Sequence, residues 1–182
     1  MQEKLENRNI ILGVTGSIAA YKACDLVSKL VQGKAHVQVV MTPNALQLVS
    51  HHTFAALSGQ AVAYEMFKEY QNKKPKHIDI ASWGDILVIA PATANIIGKI
   101  AGGIADDILS TTVMTFNKKI LIAPAMNTNM YENSMVQENI GKLKKYGMLF
   151  IEPDEGYLAC GYEGKGRLAS IQTIIEKICQ EI

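Results

Sequence analysis

The stretch ILVIAPATANIIGKIAGGIADD, residues 86–107, decides the fold because it combines a buried strand, a polar turn and the start of a helical region. Residues 86–89 form an uninterrupted apolar run, which is typical of a strand covered on both faces. The short side chains of 91–95 follow, where the strand ends. Open α/β sheets bind ligands at this edge, so the stretch indicates either a ligand site or a tightly packed strand-to-helix junction without one.

Glycines at 98, 102 and 103 lie just beyond this turn. A glycine places no side chain between the backbone and a neighbour. We therefore expect that a flat ligand or a neighbouring subunit can approach the chain closely here.

The rest of the chain repeats the pattern of an apolar strand followed by a helix. Strands are predicted at 10–14, 37–41, 120–123 and 148–151, and helices after 17, at 43, 107–116, 137–146 and 170–182. This alternation predicts an α/β fold, a three-layer doubly wound parallel sheet. The loops 15–17, 91–95 and 124–131 then gather at one edge, and 60–75 is expected to be a connection with limited structure.

Composition fits one domain and excludes several partners. The 182 residues, 48% of them hydrophobic, can bury a core, and 18 basic against 17 acidic side chains leave a charge of +1. No basic surface for nucleic acid or membrane is indicated. No apolar run approaches the ~20 residues of a membrane span and no signal peptide is evident, so we expect a cytoplasmic protein. The charged fraction of 19% is low, which suggests that partner subunits cover some surface.

The three cysteines have no metal-type spacing, so neither a disulfide framework nor a metal site is predicted. Cys24 and Cys179 lie in helical patterns and are expected in the core. Cys160 lies among glycines in 152–166, a stretch without periodicity. Loops of this length in compact domains are usually lids or disordered, and because this one ends at Arg167 a lid is favoured.

Two hydroxyls follow strands at the predicted ligand edge. Ser17 lies in a strand–turn–helix junction that can present backbone N–H groups to an anion, although Gly13-x-x-Gly16 is not a complete dinucleotide pattern and a plain turn is nearly as well supported. Thr42 precedes Pro43, which is a typical helix start. Its hydroxyl either caps that helix or reaches the same ligand.

Other polar groups fall near the same edge. His77 precedes a short apolar element leading into the central strand, and a lone histidine is more often structural than catalytic. Asn127 follows the strand at 120–123 and can hold a carboxylate or an amide. Met126, Met130 and Tyr131 either pack on an apolar ligand or fill the core.

Four segments resemble the phosphopantothenoylcysteine decarboxylases, which belong to the homo-oligomeric flavin-containing cysteine decarboxylase family. They are GVTGSIAAYKA (13–23), HIDIASWGDILVIAPATANIIGKIAGGIADDILSTT (77–112), IAPAMNTNMYEN (122–133) and GYLACGYEGKGRLA (156–169). The resemblance covers essentially the whole chain. It implies a single FMN-binding decarboxylase domain at 1–182, flavodoxin-like or Rossmann-like, in trimers or dodecamers of trimers with the active site at a subunit contact.

The resemblance also implies a reaction: decarboxylation of 4'-phospho-N-pantothenoylcysteine to 4'-phosphopantetheine in coenzyme A biosynthesis. Direct loss of CO2 from a cysteine carboxylate would leave an unstabilised carbanion. Flavin oxidation of the CH2–SH group gives a thioaldehyde that accepts the electron pair, and the resulting enethiol is then reduced again. Since the sequence stops at Ile182, we expect a separate phosphopantothenoylcysteine synthetase to act upstream.

By position, the resemblance assigns His77 and Cys160 to catalysis, the first around the oxidation and the second as the acid of the second half-reaction. Asn127 is expected to bind the substrate carboxylate. The other predicted substrate contacts are Met126, Met130, Ala159 and Arg167. The predicted FMN contacts are Gly16, Ser17, Ile18, Thr42, Thr93, Ala94 and Asn95. Two positions depart from the family pattern, Ile80 in place of leucine and Tyr131 in place of tryptophan.

Two alternatives belong to other classes. An oxidative decarboxylase of peptides with C-terminal cysteine would not need the Ala-Cys-Gly motif at 159–161, whose presence argues against it. A non-catalytic regulatory flavoprotein is expected to carry long acidic extensions, which the sequence lacks. The contacts of Lys165 and Arg167 stay open, and for Arg167 a substrate phosphate and a structural lid contact are both considered.

Overall fold

The computed structural model describes residues 2–67, 75–157, 161 and 163–182. The strands are β1 (Asn9–Val14), β2 (His36–Met41), β3 (Ile86–Ala92), β4 (Ile120–Pro124), β5 (Leu149–Phe150), β6 (Asp154–Tyr157) and β7 (Glu163–Arg167). The helices are α1 (Gln2–Leu5), α2 (Lys22–Gln32), α3 (Pro43–Leu46), α4 (His51–Ser58), α5 (Lys76–Trp83), α6 (Ala94–Gly102), α7 (Ile108–Thr115), α8 (Thr128–Glu132), α9 (Ser134–Lys145) and α10 (Ile171–Glu181). A 3₁₀ turn, Ile18–Tyr21, precedes α2.

Five strands form one parallel sheet in the order β2-β1-β3-β4-β5. The chain winds from β1 outward to β2, then crosses back to β3 on the other side of β1. The strand order therefore reverses between β1 and β3, and such a switch point opens a crevice at the carboxyl ends of the strands. The predicted doubly wound α/β fold is confirmed.

Helices cover both faces of the sheet, which explains the continuous apolar runs. Ile10, Leu12 and Val14 of β1 face a layer that contains α2, α4 and α10, whereas Ile11 faces a layer that contains α5, α6, α7 and α9. Every residue of β3 and β4 is buried. The expected core positions of the two helical cysteines are also found: Cys179 is buried in the first layer and Cys24 packs against it.

Both edges of the sheet are short or covered. At one edge, Ala63 pairs with β2: Met41 N donates to Ala63 O over 2.8 Å, and Ala63 N donates to Val39 O over 3.0 Å. At the other, β5 has only two residues. The segment 60–75, predicted to have limited structure, therefore supplies an edge contact, while 68–74 lie outside the described residues.

The short apolar element that leads into the central strand is a helix. Residues 77–83 belong to α5, a helix that buries Ile80 and Ala81 against the sheet layer and packs on α7. The alternation of apolar and polar residues at 77–80 has the period of a strand. Burial of adjacent residues on one helical face outweighs that local pattern.

The stretch 152–166 also differs from the prediction of a loop. It contains an antiparallel hairpin of β6 and β7, in which Gly156 pairs with Gly164. Glycines at facing positions hide the alternation that would mark strands. Ala159 and Cys160, predicted to contact the substrate and to act in catalysis, lie outside the described residues.

Within the described chain, every helix is too short or too polar to cross a membrane.

Candidate functional site

A cleft opens at the carboxyl edge of the sheet, where the ends of β1, β3 and β4 meet the hairpin. Its larger part, which we call the first lobe, has a volume of about 440 Å³. Eight of the predicted site residues line it: Gly16, Ser17, Ile18, Thr93, Met126, Asn127, Met130 and Arg167. Residues from four separate segments are thus brought together, as expected from the parallel topology.

The second lobe, about 380 Å³, adjoins the first and shares Gly16, Thr93 and Met130 with it. The predicted residues Thr42 and Asn95 line this lobe. Since the two lobes share walls, they form one cleft that extends across the ends of β1, β2 and β3.

Two predicted residues do not line either lobe. Ala94 is half-buried in the first turn of α6. His77 is half-buried in the first turn of α5, a helix on the face of the sheet that also carries α7. The catalytic role of His77 stays a prediction, because the lining of the cleft within a single chain does not include it.

Thr15 ties the first two loops of the cleft together, and sequence reasoning gave it no role. Its buried Oγ1 donates to Pro91 O over 2.7 Å and accepts from Thr93 N over 3.1 Å. The position of Thr15 could have indicated this role, because its hydroxyl directly follows β1 and the neighbouring strand β3 ends beside it. The pair of hydrogen bonds fixes the spacing of the loops that carry Ser17 and Thr93.

Three polar side chains in the cleft cap helices. Ser17 Oγ accepts from Ala19 N over 3.3 Å, and Thr93 Oγ1 accepts from Ile96 N, also over 3.3 Å. Asn127 Oδ1 accepts from Asn129 N over 2.8 Å. Each bond fixes the orientation of a side chain that borders the cleft.

Thr42 behaves differently, although its sequence context predicts a cap. It is the N-cap residue of α3 by position but makes no side-chain capping hydrogen bond. Its Oγ1 is buried and has no hydrogen-bond partner anywhere in the described part of the chain. The predicted side-chain cap is therefore not formed, and contact of the Thr42 hydroxyl with a ligand stays a prediction.

Gly16 allows the β1 loop to rest directly on α3. A Cβ at position 16 would lie 2.5 Å from Asn44 Cβ, far inside normal contact. Gly13, by contrast, is needed for packing away from the cleft, since a Cβ there would lie 2.6 Å from Leu109 Cδ1. Of the two glycines in the turn motif, only Gly16 borders the cleft.

An ion-pair cluster closes one side of the second lobe. Lys99 Nζ lies 2.6 Å from Asp106 Oδ1 and 2.8 Å from Asp107 Oδ2. Burial opposes the charged form of the lysine, but the hydrogen bonds and charges of both aspartates outweigh it and raise the pKa of Lys99. Asp107 also caps α7 through Ser110. This cluster makes Lys99 part of the wall of the second lobe.

The hairpin is anchored to α8 and α9 through Glu152. Its carboxylate accepts from Tyr131 Oη over 2.8 Å, Lys165 Nζ over 3.1 Å and Lys144 Nζ over 3.2 Å. The hydrogen bond from Tyr131 is the largest cause that lowers the pKa of Glu152 to about 2. Burial, followed by the bond to Glu152, raises the pKa of Tyr131 to about 12. Lys165, whose contact the sequence left open, is thus engaged by Glu152.

Among the described residues, no three His, Cys, Asp or Glu side chains are placed to hold a metal ion. The cleft offers hydroxyls, amides and backbone N–H groups together with the cations Lys22, Lys99 and Arg167, and these donors suit an organic, partly anionic ligand.

Comparison with known proteins agrees with this geometry. A family model described as Flavoprotein matches residues 1–182. The coenzyme A biosynthesis bifunctional protein CoaBC of Bacillus subtilis (strain 168) is 53% identical over 172 residues, which cover 94% of this chain and 42% of that protein. The probable phosphopantothenoylcysteine decarboxylase of Streptococcus mutans is 41% identical over 177 residues, which cover 96% of this chain and 99% of that protein. The chain therefore spans less than half the length of the bifunctional relative.

Solved structures share the fold over nearly the full chain. A PPC decarboxylase mutant complexed with pantothenoylaminoethenethiol has a TM-score of 0.85 and 29% identity, covering 95% of this chain and 97% of that chain. The FMN-dependent cysteine decarboxylase SpaF has a TM-score of 0.85 and 31% identity, covering 97% of each chain.

Proposed function

We infer that this chain, which belongs to the Flavoprotein family, is an FMN-dependent decarboxylase that converts 4'-phospho-N-pantothenoylcysteine to 4'-phosphopantetheine in coenzyme A biosynthesis. Relatives named for coenzyme A biosynthesis and for phosphopantothenoylcysteine decarboxylation match over nearly the whole chain. The observation in the molecule that carries the proposal is the buried, unpartnered Thr42 hydroxyl in a cleft at the switch point of the sheet.

The residues of the cleft fit FMN. A buried hydroxyl without a partner costs about 1–3 kcal/mol, so a ligand that pairs with Thr42 recovers free energy on binding. Gly16 keeps side-chain bulk out of the neighbouring turn, and the two lobes leave room for a flat ring system beside a polar chain. We assign FMN binding to Gly16, Ser17, Ile18, Thr42, Thr93, Ala94 and Asn95.

Bound FMN supplies a reversible acceptor for hydride from the cysteine side chain of the substrate. The chain's own part is to orient the substrate. The bond from Asn129 N to Asn127 Oδ1 fixes the Asn127 amide at the rim of the first lobe, where its N–H group is the donor suited to a carboxylate. Holding the carboxylate in one orientation aligns the C–C bond that must break.

Apolar side chains complete the first lobe. Ile18, Met126, Met130 and Tyr157 line this lobe together with Asn127. They exclude water from the reacting atoms and pack against the substrate arm. We propose the same roles in substrate binding for Met126 and Met130 as the sequence predicts.

The roles of His77, Ala159 and Cys160 are proposals, and their support is the membership of this chain in the family. We propose that His77 assists or orients the proton transfer that accompanies oxidation, and that Cys160 supplies a proton when the enethiol is reduced. Because His77 lines neither lobe of its own chain, we propose that a second copy of the chain brings it to the site.

We further propose homotrimers or dodecamers of trimers, a cytoplasmic location, and a phosphopantothenoylcysteine synthetase as the source of the substrate. Support for an assembly comes from Ile18 and Tyr21, apolar side chains that are 65% and 62% exposed at the opening of the cleft. Support for the synthetase comes from the bifunctional relatives.

Mass spectrometry of the products tests the reaction. The purified, FMN-loaded protein is incubated with 4'-phospho-N-pantothenoylcysteine and no nicotinamide cofactor. We expect 4'-phosphopantetheine, because the hydride removed in oxidation returns in the second half-reaction. Accumulation of the unsaturated enethiol would contradict the second half-reaction, and unchanged substrate would contradict the proposed activity.

A further inference from the structure

Two elements that are distant in sequence supply walls of the first lobe. Met126, Asn127 and Met130 belong to α8 or to the turn before it. Tyr157 and Arg167 belong to the β6–β7 hairpin. Within the described chain, no residue of the hairpin lines the second lobe. The shape of the first lobe, but not that of the second, therefore depends on how the hairpin docks on α8.

The docked hairpin lies directly against the start of α8. Met126 N donates to Gly166 O over 3.0 Å. Gly164 lies against Thr128, since a Cβ at position 164 would overlap Thr128 Oγ1. Because a glycine places no side chain between the two backbones, β7 can rest on the first turn of this helix.

Docking also buries a hydroxyl without compensation. Thr128 Oγ1 is buried and has no hydrogen-bond partner in the described part of the chain, and Gly164 beside it has no polar side chain. A buried hydroxyl that lacks a partner has lost the hydrogen bonds that water would give it. The Thr128 hydroxyl therefore opposes docking, and other contacts must hold the hairpin in place.

The contact that offsets this cost is made by Tyr131, a buried residue near the end of α8 that lines neither lobe. Its hydroxyl donates to Glu152 Oε2 over 2.8 Å, and the same oxygen accepts from Lys165 Nζ of β7 over 3.1 Å. Lys165 Nζ also lies 5.6 Å from the centroid of the Tyr131 ring. One carboxylate oxygen thus joins α8 to β7 through charge-assisted hydrogen bonds.

We propose that Tyr131 and Glu152 are positioning residues for substrate binding, because their hydrogen bond keeps the hairpin docked on α8 and so gives the first lobe the shape that holds the substrate. This inference rests on the proposed function. When the bond is lost, the hairpin is released in a larger fraction of molecules, and the apparent affinity falls with the fraction that stays competent. Saturating substrate draws the hairpin back, so the turnover of the full complex is retained.

Steady-state kinetics of the FMN-loaded protein with 4'-phospho-N-pantothenoylcysteine separate this role from a purely structural one. We expect Tyr131→Phe to raise KM about fivefold and Glu152→Ala about tenfold, with kcat within about twofold of the wild type. A variant that is merely less stable would lose active enzyme, which lowers kcat and leaves KM unchanged. In the Glu152→Ala background, Tyr131→Phe should have little further effect on KM, because the bond is already absent.

Thr128→Val is expected to act in the opposite direction. It removes the unpartnered hydroxyl and keeps the size of the side chain, so the docked hairpin gains stability. KM should fall about twofold, and Thr128→Val combined with Tyr131→Phe should recover part of the affinity that Tyr131→Phe loses.

Tyr146→Phe and Glu132→Ala are the matched controls. Tyr146 is exposed at the end of α9, Glu132 is exposed on α8 next to Tyr131, and neither lines the cleft. Both variants should keep the wild-type KM and kcat. Tyr131→Phe should also keep the wild-type affinity for FMN in a fluorescence titration, because Tyr131 lines neither lobe.

Amide hydrogen exchange tests the docking of the hairpin without substrate. In Tyr131→Phe, exchange should be faster than in the wild type within 126–131 and 163–167 and unchanged in β3. Unchanged exchange in those two segments, an unchanged KM, or a fall in kcat at unchanged KM would overturn the inference. Faster exchange confined to the two segments, in a protein that turns over no substrate, would contradict the proposed function and uphold the docking role of Tyr131 and Glu152.

Discussion

At the scale of single residues, substitution of Thr42 should change two quantities in opposite directions, the free energy of unfolding and the affinity for FMN. Thr42→Val keeps the shape of the side chain and removes the unpartnered hydroxyl. The flavin-free protein should keep or gain free energy of unfolding, by up to about 1 kcal/mol, because a buried unsatisfied group is gone. FMN should bind about tenfold more weakly. Urea unfolding of the stripped protein and a fluorescence titration with FMN measure the two effects.

Thr112→Val is the matched control for that variant. The Thr112 hydroxyl is also buried, but it donates to Ile108 O within α7 and lies outside the cleft. We expect this variant to bind FMN as the wild type does. If Thr42→Val bound FMN as tightly as the wild type, Thr42 would not be a residue of the FMN site.

Thr15 acts through the loops that it joins. Thr15→Val removes the bonds to Pro91 O and Thr93 N and leaves both backbone groups unpaired. The free energy of unfolding should fall by about 2–3 kcal/mol, because an unpaired buried group costs about 1–3 kcal/mol and Thr93 N, which is only partly buried, adds less than Pro91 O. Urea denaturation measures the loss. Thr15→Ser retains the hydroxyl and should lose less, so equal losses in the two variants would contradict this account.

At the scale of elements, the attachment of the β6–β7 hairpin depends on pH. The folded state lowers the pKa of Glu152 to about 2 from 4.5, so its contribution to stability is present above pH 4.5 and is lost as the pH falls toward 2. The folded state raises the pKa of Tyr131 to about 12 from 10, so its contribution is present below pH 10 and is lost as the pH rises toward 12. Stability conferred by the anchor should therefore be greatest between these limits.

Glu152→Gln isolates the acidic part of this dependence. The difference in melting temperature between wild type and variant should be largest near neutral pH and should shrink below pH 4.5, because the Glu152 carboxyl of the unfolded chain then binds a proton that the folded protein, with a pKa of about 2, does not. Thermal unfolding monitored by circular dichroism from pH 7 to 3 measures it. Glu155, an exposed acid in the same hairpin, gives the control Glu155→Gln, which should show no such convergence. A constant wild-type-to-Glu152→Gln difference across the range would refute the anchor.

Docking of the hairpin also depends on a glycine. Gly166 has φ +148°, and a Cβ there would overlap Met126 O. Gly166→Ala should release the hairpin from the turn at 126–127 and accelerate proteolytic cleavage within 152–167. Gly59→Ala supplies the comparison, because Gly59 also has positive φ (+68°) but faces open space. Equal cleavage rates for the two variants in that segment would contradict a specific role of Gly166 in docking the hairpin.

At the scale of the whole molecule, the sheet was predictable from sequence because a strand buried on both faces has a simple signature. Apolar runs such as 86–89 and 120–123 read directly as strands, and their parallel order places the following turns at one edge. Most of the cleft follows from that placement. That Ser17, Thr93 and Asn127 line the same cleft could be predicted, because the carboxyl ends of parallel strands lie at the same edge of the sheet.

The remainder was not predictable because it depends on partners distant in sequence. The helix α5 forms because Ile80 and Ala81 find an apolar layer, and the hairpin forms because Gly156 and Gly164 can face each other. Whether the Thr42 hydroxyl would cap a helix or remain unpaired could not be read from Thr42-Pro43. Such outcomes are decided by tertiary packing, which one-dimensional patterns do not encode.

The covered edges of the sheet limit how copies of this chain can meet. With Ala63 hydrogen-bonded along β2 and only two residues in β5, neither side presents a long row of free backbone donors and acceptors. Joining sheets across subunits into a continuous ribbon is therefore disfavoured. Copies of the chain that assemble would then meet through side chains on helices and loops, so the growth of amyloid-like ribbons by pairing of sheet edges is not favoured.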